Sequence, residues 1–226
     1  MFTWHENDNA AAAAQSLADA VTAALQSTLD ENGRAVLAVS GGRSPIAFFE
    51  ALSHKDLAWS NVGITLVDER IVPTVHPDSN TALVREYLLK NKASAARWIP
   101  MVEDGKPENR LPPQEVVDFA LQHYRQPDVL VLGMGGDGHT ASLFPQAPQL
   151  EAGIDLENDV TLLHTTPVTA PHERVSILKT PHIFLAIQGA DKKAVFERAA
   201  AAPTTEFPIS LILNQNGANC HVYYAK

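Results

Sequence analysis

The segment DVLVLGMGGDGHTASLFP, residues 128–145, runs from an apolar stretch into a loop with four glycines and then reaches a proline. An apolar strand without polar alternation is typical of a sheet that is covered on both faces. Closely spaced glycines let the backbone adopt positive φ and let a ligand approach the main-chain N–H groups. The segment therefore predicts a buried strand that ends at a binding loop.

Apolar strands alternate with helical stretches on both sides of this segment. Strands are predicted at 35–40, 62–69, 128–134, 160–166, 174–178, 183–189, 209–213 and 220–225, and helices at 9–31, 45–53, 79–90, 114–124 and 191–202. In the first helix Leu17, Val21 and Leu25 share one face, and Gly33 is the predicted stop. The order predicts an α/β fold with a doubly wound, mostly parallel sheet, helices on both faces, and a single domain over residues 1–226.

Composition argues against several classes of protein. Of the 226 residues 45% are hydrophobic and 19% charged, which is typical of a soluble globular protein, and the net charge of −9 argues against a nucleic-acid surface. No apolar run reaches the roughly 18 residues of a membrane span, and the N-terminus lacks the basic and apolar regions of a secretion signal. The lone cysteine, Cys220, lies in an apolar run and predicts a buried thiol. We therefore expect a cytoplasmic protein without a nucleic-acid or membrane partner.

The strand end at SGGRSP, residues 40–45, predicts a seat for an anion. Ligands of open α/β sheets bind at the carboxyl ends of strands. Here Gly41 and Gly42 lead into Ser44, a favoured N-cap, and Pro45, a favoured first helical residue. A helix start of this kind directs free N–H groups toward a phosphate. A plain strand-to-helix turn is the alternative, but it requires only one glycine.

A second strand end, DERIVP at 68–73, places two acids and an arginine together. Asp68 or Glu69 could hold a neighbouring segment, and the planar guanidinium of Arg70 could bind an anion. A solvated loop edge is the alternative interpretation.

The loop of the opening segment predicts proton transfer by a histidine. An imidazole suits this role because its ordinary pKa lies near physiological pH, so we assign His139 as a general base. Asp137 lies two residues earlier and could orient the ring or the substrate. The glycines also satisfy the dinucleotide pattern G-x-G-x-x-G, but Pro145 interrupts the long helix that this pattern requires.

Taken together, SGGRSP, DERIVP with DSN at 78–80, LGMGGDGHTASLFP, RVSIL and GADK at 189–192 resemble, in order and spacing, the 6-phosphogluconolactonases of the pentose phosphate pathway. The likeness runs from about residue 35 to 213. The glucosamine-6-phosphate deaminases share that family's fold but typically continue D-G-H-I-A-F-N-E-P. Here 140–145 read TASLFP, so the lactonase pattern fits better.

The resemblance implies hydrolysis of 6-phospho-D-glucono-1,5-lactone, a phosphorylated sugar lactone, with no metal or redox cofactor. His139 would take the proton of the attacking water, and Asp137 would assist it. Arg43 replaces a small hydroxyl residue that the family usually has. The implied substrate and phosphate contacts are Gly41, Gly42, Arg43, Ser44, Asp68, Arg70, Gly136, Arg174 and Lys192.

Two other functions stay open at this point. One is a sugar-phosphate isomerase or deaminase in which Asp68 moves a proton, and the other is a sensor that binds sugar phosphate without turnover. The sequence leaves the oligomeric state open, and a monomer is the working assumption.

Overall fold

The computed structural model describes residues 2–147, 150, 162–165, 172–175, 177, 179–215 and 218–226. Its strands are β1 (Phe2–Asn7), β2 (Ala35–Val39), β3 (Val62–Leu66), β4 (Arg97–Trp98), β5 (Val129–Gly133), β6 (Leu162–Thr165), β7 (His172–Val175), β8 (His182–Gln188) and β9 (Asn219–Ala225). Seven of them form a parallel sheet in the order β1-β9-β8-β5-β2-β3-β4, and β6 pairs with β7 in a separate antiparallel ribbon. The predicted α/β class and parallel sheet are confirmed.

The helices follow the strands closely in the chain. They are α1 (Ala10–Asn32), α2 (Ile46–Ser53), α3 (Asn80–Tyr87), α4 (Pro113–His123), α5 (Ala190–Ala201) and α6 (Ile209–Leu213). Helix α1 begins where the Asn9 side chain accepts a hydrogen bond from the Ala12 N–H at 2.9 Å, and it ends at Gly33, as predicted. An N-cap of this kind satisfies one of the donors that a helix start leaves free.

Two apolar layers cover the two faces of the sheet. Because side chains alternate along a strand, Val129 and Val131 of β5 face the layer that contains buried residues of α1, α2 and α3. Leu130 and Leu132 face the opposite layer, which contains buried residues of α5 and α6. Helices therefore lie on both faces, as expected. Each large apolar side chain buried in this way stabilises the fold by roughly 1.5–3 kcal/mol.

The predicted strand at 209–213 is wrong, because this segment is the helix α6. Ile209, Ile212 and Leu213 are buried, and Leu211 between them is partly exposed, which is the three- and four-residue spacing of a helix. A short run of apolar residues does not distinguish a strand from a buried helical turn by periodicity.

Two strands of the sheet were not predicted. The edge strand β1 has the sequence FTWHEN, whose mixed polar and aromatic residues gave no strand signal, and β4 has only two residues. The prediction at 174–178 falls partly on β7, and Ser176 and Leu178 lie outside the described residues.

Cys220 should be unreactive toward an aromatic disulfide reagent in the native protein. Its side chain on β9 has no exposed surface, and burial raises the pKa of its thiol to about 12. Since the thiolate is the reactive form, we expect labelling at least about 100-fold slower than in denaturant. The chain has one cysteine, so the absorbance of the released thiol reports this site alone. Rapid stoichiometric labelling without denaturant would contradict the burial of β9.

Candidate active site

A cavity of about 390 Å³ lies at the carboxyl edge of the parallel sheet. Its walls include Ser40 after β2, Gly133 at the end of β5, Gln188 at the end of β8 and Ala225 at the end of β9. After β2 the next strand of the sheet, β3, lies on one side of β2, and after β5 the next strand, β8, lies on the opposite side of β5. The cavity therefore lies between two neighbouring strands whose connections run in opposite directions across the sheet. Open α/β sheets bind ligands at such a switch point.

The two glycines after β2 meet two different requirements. A Cβ at Gly41 would lie 1.8 Å from the Asn80 side-chain oxygen, and Gly42 has a φ of 86°, which side chains disfavour. The predicted Ser44 cap is wrong, because α2 begins one residue later, with Pro45 as its N-cap and no side-chain cap bond. Ser44 lines the cavity instead, and Arg43 is exposed and is not among the described lining residues.

Glu69 is a buried carboxylate that holds the start of α3. None of its side chain is exposed, so its oxygens require partners within the protein. It accepts hydrogen bonds from the N–H groups of Arg70, Asn80 and Thr81 and from the hydroxyls of Ser79 and Thr81. Burial raises the pKa of Glu69, and these hydrogen bonds oppose that effect. The expectation that an acid of this loop holds a neighbouring segment is confirmed.

Asn80 connects the loop after β3 to the loop after β2. Its amide donates to the Asp68 carbonyl oxygen at 2.9 Å, and its side-chain oxygen occupies the space that the missing Gly41 side chain leaves. Asn80 lines the cavity. The close approach therefore fixes both loops against each other at the wall of the cavity.

A tight turn at residues 140–143 carries Ser142 to the same wall. Ala141 and Ser142 have φ angles of 46° and 59°, and the Leu143 N–H donates to the Thr140 carbonyl oxygen at 2.8 Å. Consecutive positive φ values are costly for residues other than glycine and persist only where surrounding contacts enforce them. Here the Ser142 hydroxyl donates a hydrogen bond to the Asp68 carboxylate.

Asp68 and Arg70 bring opposite charges to the cavity. Burial raises the pKa of Asp68, while the Ser142 hydrogen bond and the charge of Arg70 act in the opposite direction. The Nε atom of Arg70 is buried without a hydrogen-bond partner in the described part of the chain. A buried donor of this kind costs free energy until an acceptor reaches it, so Arg70 is suited to bind an anionic group in the cavity.

His139 is held at the cavity wall by Asp137 through two contacts with one oxygen. The imidazole Nδ1 lies 2.5 Å from Asp137 Oδ1, and the His139 main-chain N–H donates to the same oxygen at 3.1 Å. Partial burial alone would raise the pKa of Asp137, but its hydrogen bonds and the charge of His139 outweigh burial and lower this pKa. The Phe144 ring packs on the imidazole with centroids 4.8 Å apart. His139 itself lines the cavity.

The two adjacent lysines of α5 have different surroundings. Lys192 lines the cavity, is half-buried, and has no acidic partner within the described ranges; burial lowers its pKa. Lys193 lies instead over the rings of Trp4 and Tyr224. The structure therefore separates the lysine that lines the cavity from the one that contacts aromatic rings.

Most of the predicted site residues meet at this cavity. Asp137 reaches it through His139, whereas Arg43 and Gly136 are exposed and do not belong to the described lining. The side chain of Arg174 lies outside the described residues. The predicted residues that line the cavity are Gly41, Gly42, Ser44, Asp68, Arg70, His139 and Lys192.

Among the lining residues to which the sequence assigned no role, three take part in the contacts described above. They are Asn80, Ser142 and Phe144. Asn80 lies within the quoted DSN triplet and the other two within TASLFP, so the motifs contained them without revealing their contacts. Over the described ranges, no group of three or more histidine, cysteine or acidic side chains is arranged to hold a metal ion. No helix in those ranges has the length and apolarity that crossing a membrane requires.

Comparisons with known proteins agree on one family. A family model described as glucosamine-6-phosphate isomerases/6-phosphogluconolactonase matches residues 8–221. A curated 6-phosphogluconolactonase of Neisseria meningitidis is 71% identical, with 100% of both chains covered. One from Pseudomonas aeruginosa is 43% identical, over 85% of this chain and 83% of the relative. The crystal structure of a putative 6-phosphogluconolactonase from Neisseria gonorrhoeae matches with a TM-score of 0.98 and 68% identity, covering 100% of each chain.

Replacing Gly135 by alanine should displace the His139 ring. A Cβ at Gly135 would lie 2.2 Å from both Nδ1 and Cε1 of His139 and 2.7 Å from Asp137 Oδ1. We expect the imidazole NMR signals of His139 to change and the signature of its short hydrogen bond to disappear. Gly136→Ala is the matched control, because a Cβ there meets nothing within 4 Å and the main-chain N–H is retained. Unchanged His139 signals in Gly135→Ala would refute the close approach.

Proposed function

The chain belongs to the glucosamine-6-phosphate isomerase/6-phosphogluconolactonase family, and on this premise we propose that it hydrolyses 6-phospho-D-glucono-1,5-lactone to 6-phosphogluconate in the oxidative pentose phosphate pathway. One observation carries the chemistry. The imidazole of His139 is fixed by Asp137 at 2.5 Å, in the wall of a cavity that also exposes the cationic side chain of Lys192. The base suits attack by water on an uncharged carbonyl group, and the cation suits a phosphate on the same substrate.

The lactonase activity is favoured over the isomerase or deaminase activity of the same family. The relatives at 71% and 43% identity are both named lactonases. The segment after His139 also reads TASLFP rather than the deaminase pattern with its supporting glutamate. Hydrolysis is therefore the reaction that this chain's own residues are proposed to carry out.

The phosphate of the substrate is proposed to bind between α5 and the turn at 41–45. Lys192 supplies a half-buried positive charge, and Gly41, Gly42 and Ser44 line the same cavity. An acidic protein repels a phosphorylated substrate at long range, so a local cation at the site offsets that repulsion. Arg43, Gly136 and Arg174 remain expected contacts from the family resemblance.

The attacking water is proposed to lose its proton to His139. With Nδ1–H donated to Asp137, the other ring nitrogen, Nε2, presents a lone pair to the cavity. As the water oxygen bonds to the lactone carbonyl carbon, its proton passes to Nε2. The tetrahedral intermediate then collapses, the bond from this carbon to the ring oxygen breaks, and the imidazolium returns a proton to that oxygen. The products are a hydroxyl group and a carboxylic acid, which ionises.

The negative charge on the carbonyl oxygen requires donors in the transition state. Two sources are available: the Arg70 guanidinium, whose Nε has no partner in the described part of the chain, and main-chain N–H groups of the glycine loop. Donors fixed before the reaction stabilise an oxyanion strongly because they need not reorganise. Asp68 contributes by placing its charge near Arg70 while Ser142 holds its carboxylate.

We further propose a cytoplasmic, monomeric protein. The buried thiol of Cys220 fits a reducing compartment, and the monomer is the working assumption carried over from the sequence.

The wild-type protein should accelerate proton release from freshly made 6-phosphogluconolactone, and His139→Ala should lower kcat by roughly 10²–10⁴-fold with little change in KM. For the wild type, kcat should fall on acidification, since only the neutral imidazole accepts a proton. The lowered pKa of Asp137 keeps that carboxylate charged on mild acidification, and the fall in kcat is assigned to the imidazole only if His139→Ala loses it. Stopped-flow assays with a pH indicator measure proton release and give kcat and KM at each pH.

The alternatives give different results in the same experiment. Binding of 6-phosphogluconate without acceleration would identify a sensor, and formation of ammonia or a ketose from an amino sugar phosphate would identify the deaminase or isomerase. Asp137→Asn should give an intermediate loss of kcat. A folded His139→Ala protein with wild-type activity would remove the histidine from the mechanism.

Replacing Lys192 by methionine should raise KM for the phosphorylated lactone about 10- to 100-fold and leave kcat nearly unchanged, because a remote phosphate contact acts on binding. Hydrolysis of D-glucono-1,5-lactone, which lacks the phosphate, should be unaffected. Lys90→Met is a matched control, because Lys90 lies over the Tyr87 ring, away from the cavity lining. Equal losses on both lactones would contradict the assignment.

A further inference from the structure

The first turn of α5 sends two neighbouring lysines in different directions. Successive helical residues are about 100° apart around the axis, so Lys192 and Lys193 cannot face the same surroundings. Lys192 lines the cavity, while the Lys193 ammonium lies 5.1 Å from the centroid of the Tyr224 ring and 5.6 Å from that of Trp4. Both distances are within the range of a cation–π contact.

The two rings under Lys193, Trp4 and Tyr224, belong to an aromatic platform, defined here as Phe2, Trp4, Phe196 and Tyr224. Trp4 stacks on Tyr224 with centroids 5.2 Å apart and contacts Phe196 at 5.0 Å, and Phe2 meets Phe196 edge to face at 5.1 Å. Phe2 and Trp4 belong to the edge strand β1, and Phe196 belongs to α5 itself. The platform therefore joins the N-terminal edge strand to the helix that carries Lys192.

The backbone of this turn is fixed at the same place. The Gly189 N–H donates to the Ala225 carbonyl oxygen at 2.9 Å, and the Lys193 N–H donates to the Gly189 carbonyl oxygen at 3.1 Å. These bonds tie the start of α5 to the end of β9 and close the first turn at Lys193. A contact that holds the Lys193 side chain therefore also limits rotation of the turn, and with it the direction in which Lys192 leaves the backbone.

Lys192 has no acidic partner to orient it within the described ranges. A free lysine side chain loses considerable rotamer entropy when a ligand immobilises it. Orientation by the backbone reduces that loss, which is the effect of preorganisation on binding.

We propose that Lys193, held on Trp4 and Tyr224, is a positioning residue that directs Lys192 onto the substrate phosphate; this rests on the proposed function of Lys192. The coupling involves β1, which precedes the residues 8–221 matched by the family model. The edge strand thus contributes to substrate affinity without touching the substrate.

The test compares Michaelis parameters on two lactones, 6-phosphogluconolactone and D-glucono-1,5-lactone. Lys193→Met should raise KM for the phosphorylated lactone about two- to fivefold, as expected for loss of one partly exposed cation–π contact. We expect kcat and all parameters on the unphosphorylated lactone to stay unchanged. Lys193→Arg keeps a cation over the rings and should restore KM. Lys90→Met removes an equivalent contact with the Tyr87 ring and should leave the Michaelis parameters on both lactones unchanged.

A second variant separates positioning from simple charge. Trp4→Leu keeps the Lys193 charge but removes one ring of the platform, and it should also raise KM selectively, by about twofold because Tyr224 remains. A KM increase in Lys193→Met together with a wild-type KM in folded Trp4→Leu would mean that Lys193 acts only through its charge, which overturns the proposal. Thermal unfolding identifies any variant that is not folded. If Trp4→Leu does not fold, Tyr224→Leu, which removes the other ring under Lys193 and keeps the Lys193 charge, takes its place in this comparison.

Lys192→Met separates this proposal from the proposed function. If Lys192→Met raises KM on the phosphorylated lactone and both Lys193→Met and Trp4→Leu leave it unchanged, the positioning role is wrong and the phosphate contact stands. If Lys192→Met itself has no selective effect, the phosphate contact is wrong and the positioning role falls with it. Equal KM increases on both lactones in Lys193→Met would show a structural role only.

Discussion

The buried carboxylate of Glu69 is the interaction on which the cavity depends. Hydrogen bonds from the start of α3 and from its own loop surround it, and each buried donor left without a partner would cost about 1–3 kcal/mol. By fixing Asn80, Glu69 also fixes the amide that contacts the Asp68 carbonyl and fills the space above Gly41. One ionisable group in the interior therefore sets the relative positions of two loops that form the cavity wall.

Much of the architecture could be predicted from the order of apolar runs, because a buried parallel strand and an amphipathic helix leave different periodicities in the sequence. The failures share a physical cause. The apolar segment 209–213 is too short to show a helical or strand period. Strand β4 has two residues, which is too few to show the alternation of a strand. Strand β1 is stabilised by its pairing with β9, more than 200 residues away in the chain, so nothing local marked it as a strand.

The site was predictable where its chemistry is local. Asp137 and His139 lie two residues apart, and a single loop sets their geometry. The hydrogen bond from Ser142 to Asp68 spans 74 positions and requires two positive φ angles, so it arises from the tertiary fold. The family resemblance selected Lys192 rather than the adjacent Lys193, but the physical reason, which is the rotation of α5 about its axis, is visible only in the structure.

The brevity of β4 affects how the molecule behaves among its own copies. An exposed edge strand offers unpaired N–H and C=O groups to any chain that can add a further strand, and this is a route to aggregation. Here that edge consists of Arg97 and Trp98, and the chain leaves it at once for other structure. A two-residue edge that begins with an exposed arginine provides too little template for another strand, so this side of the sheet resists edge-to-edge polymerisation.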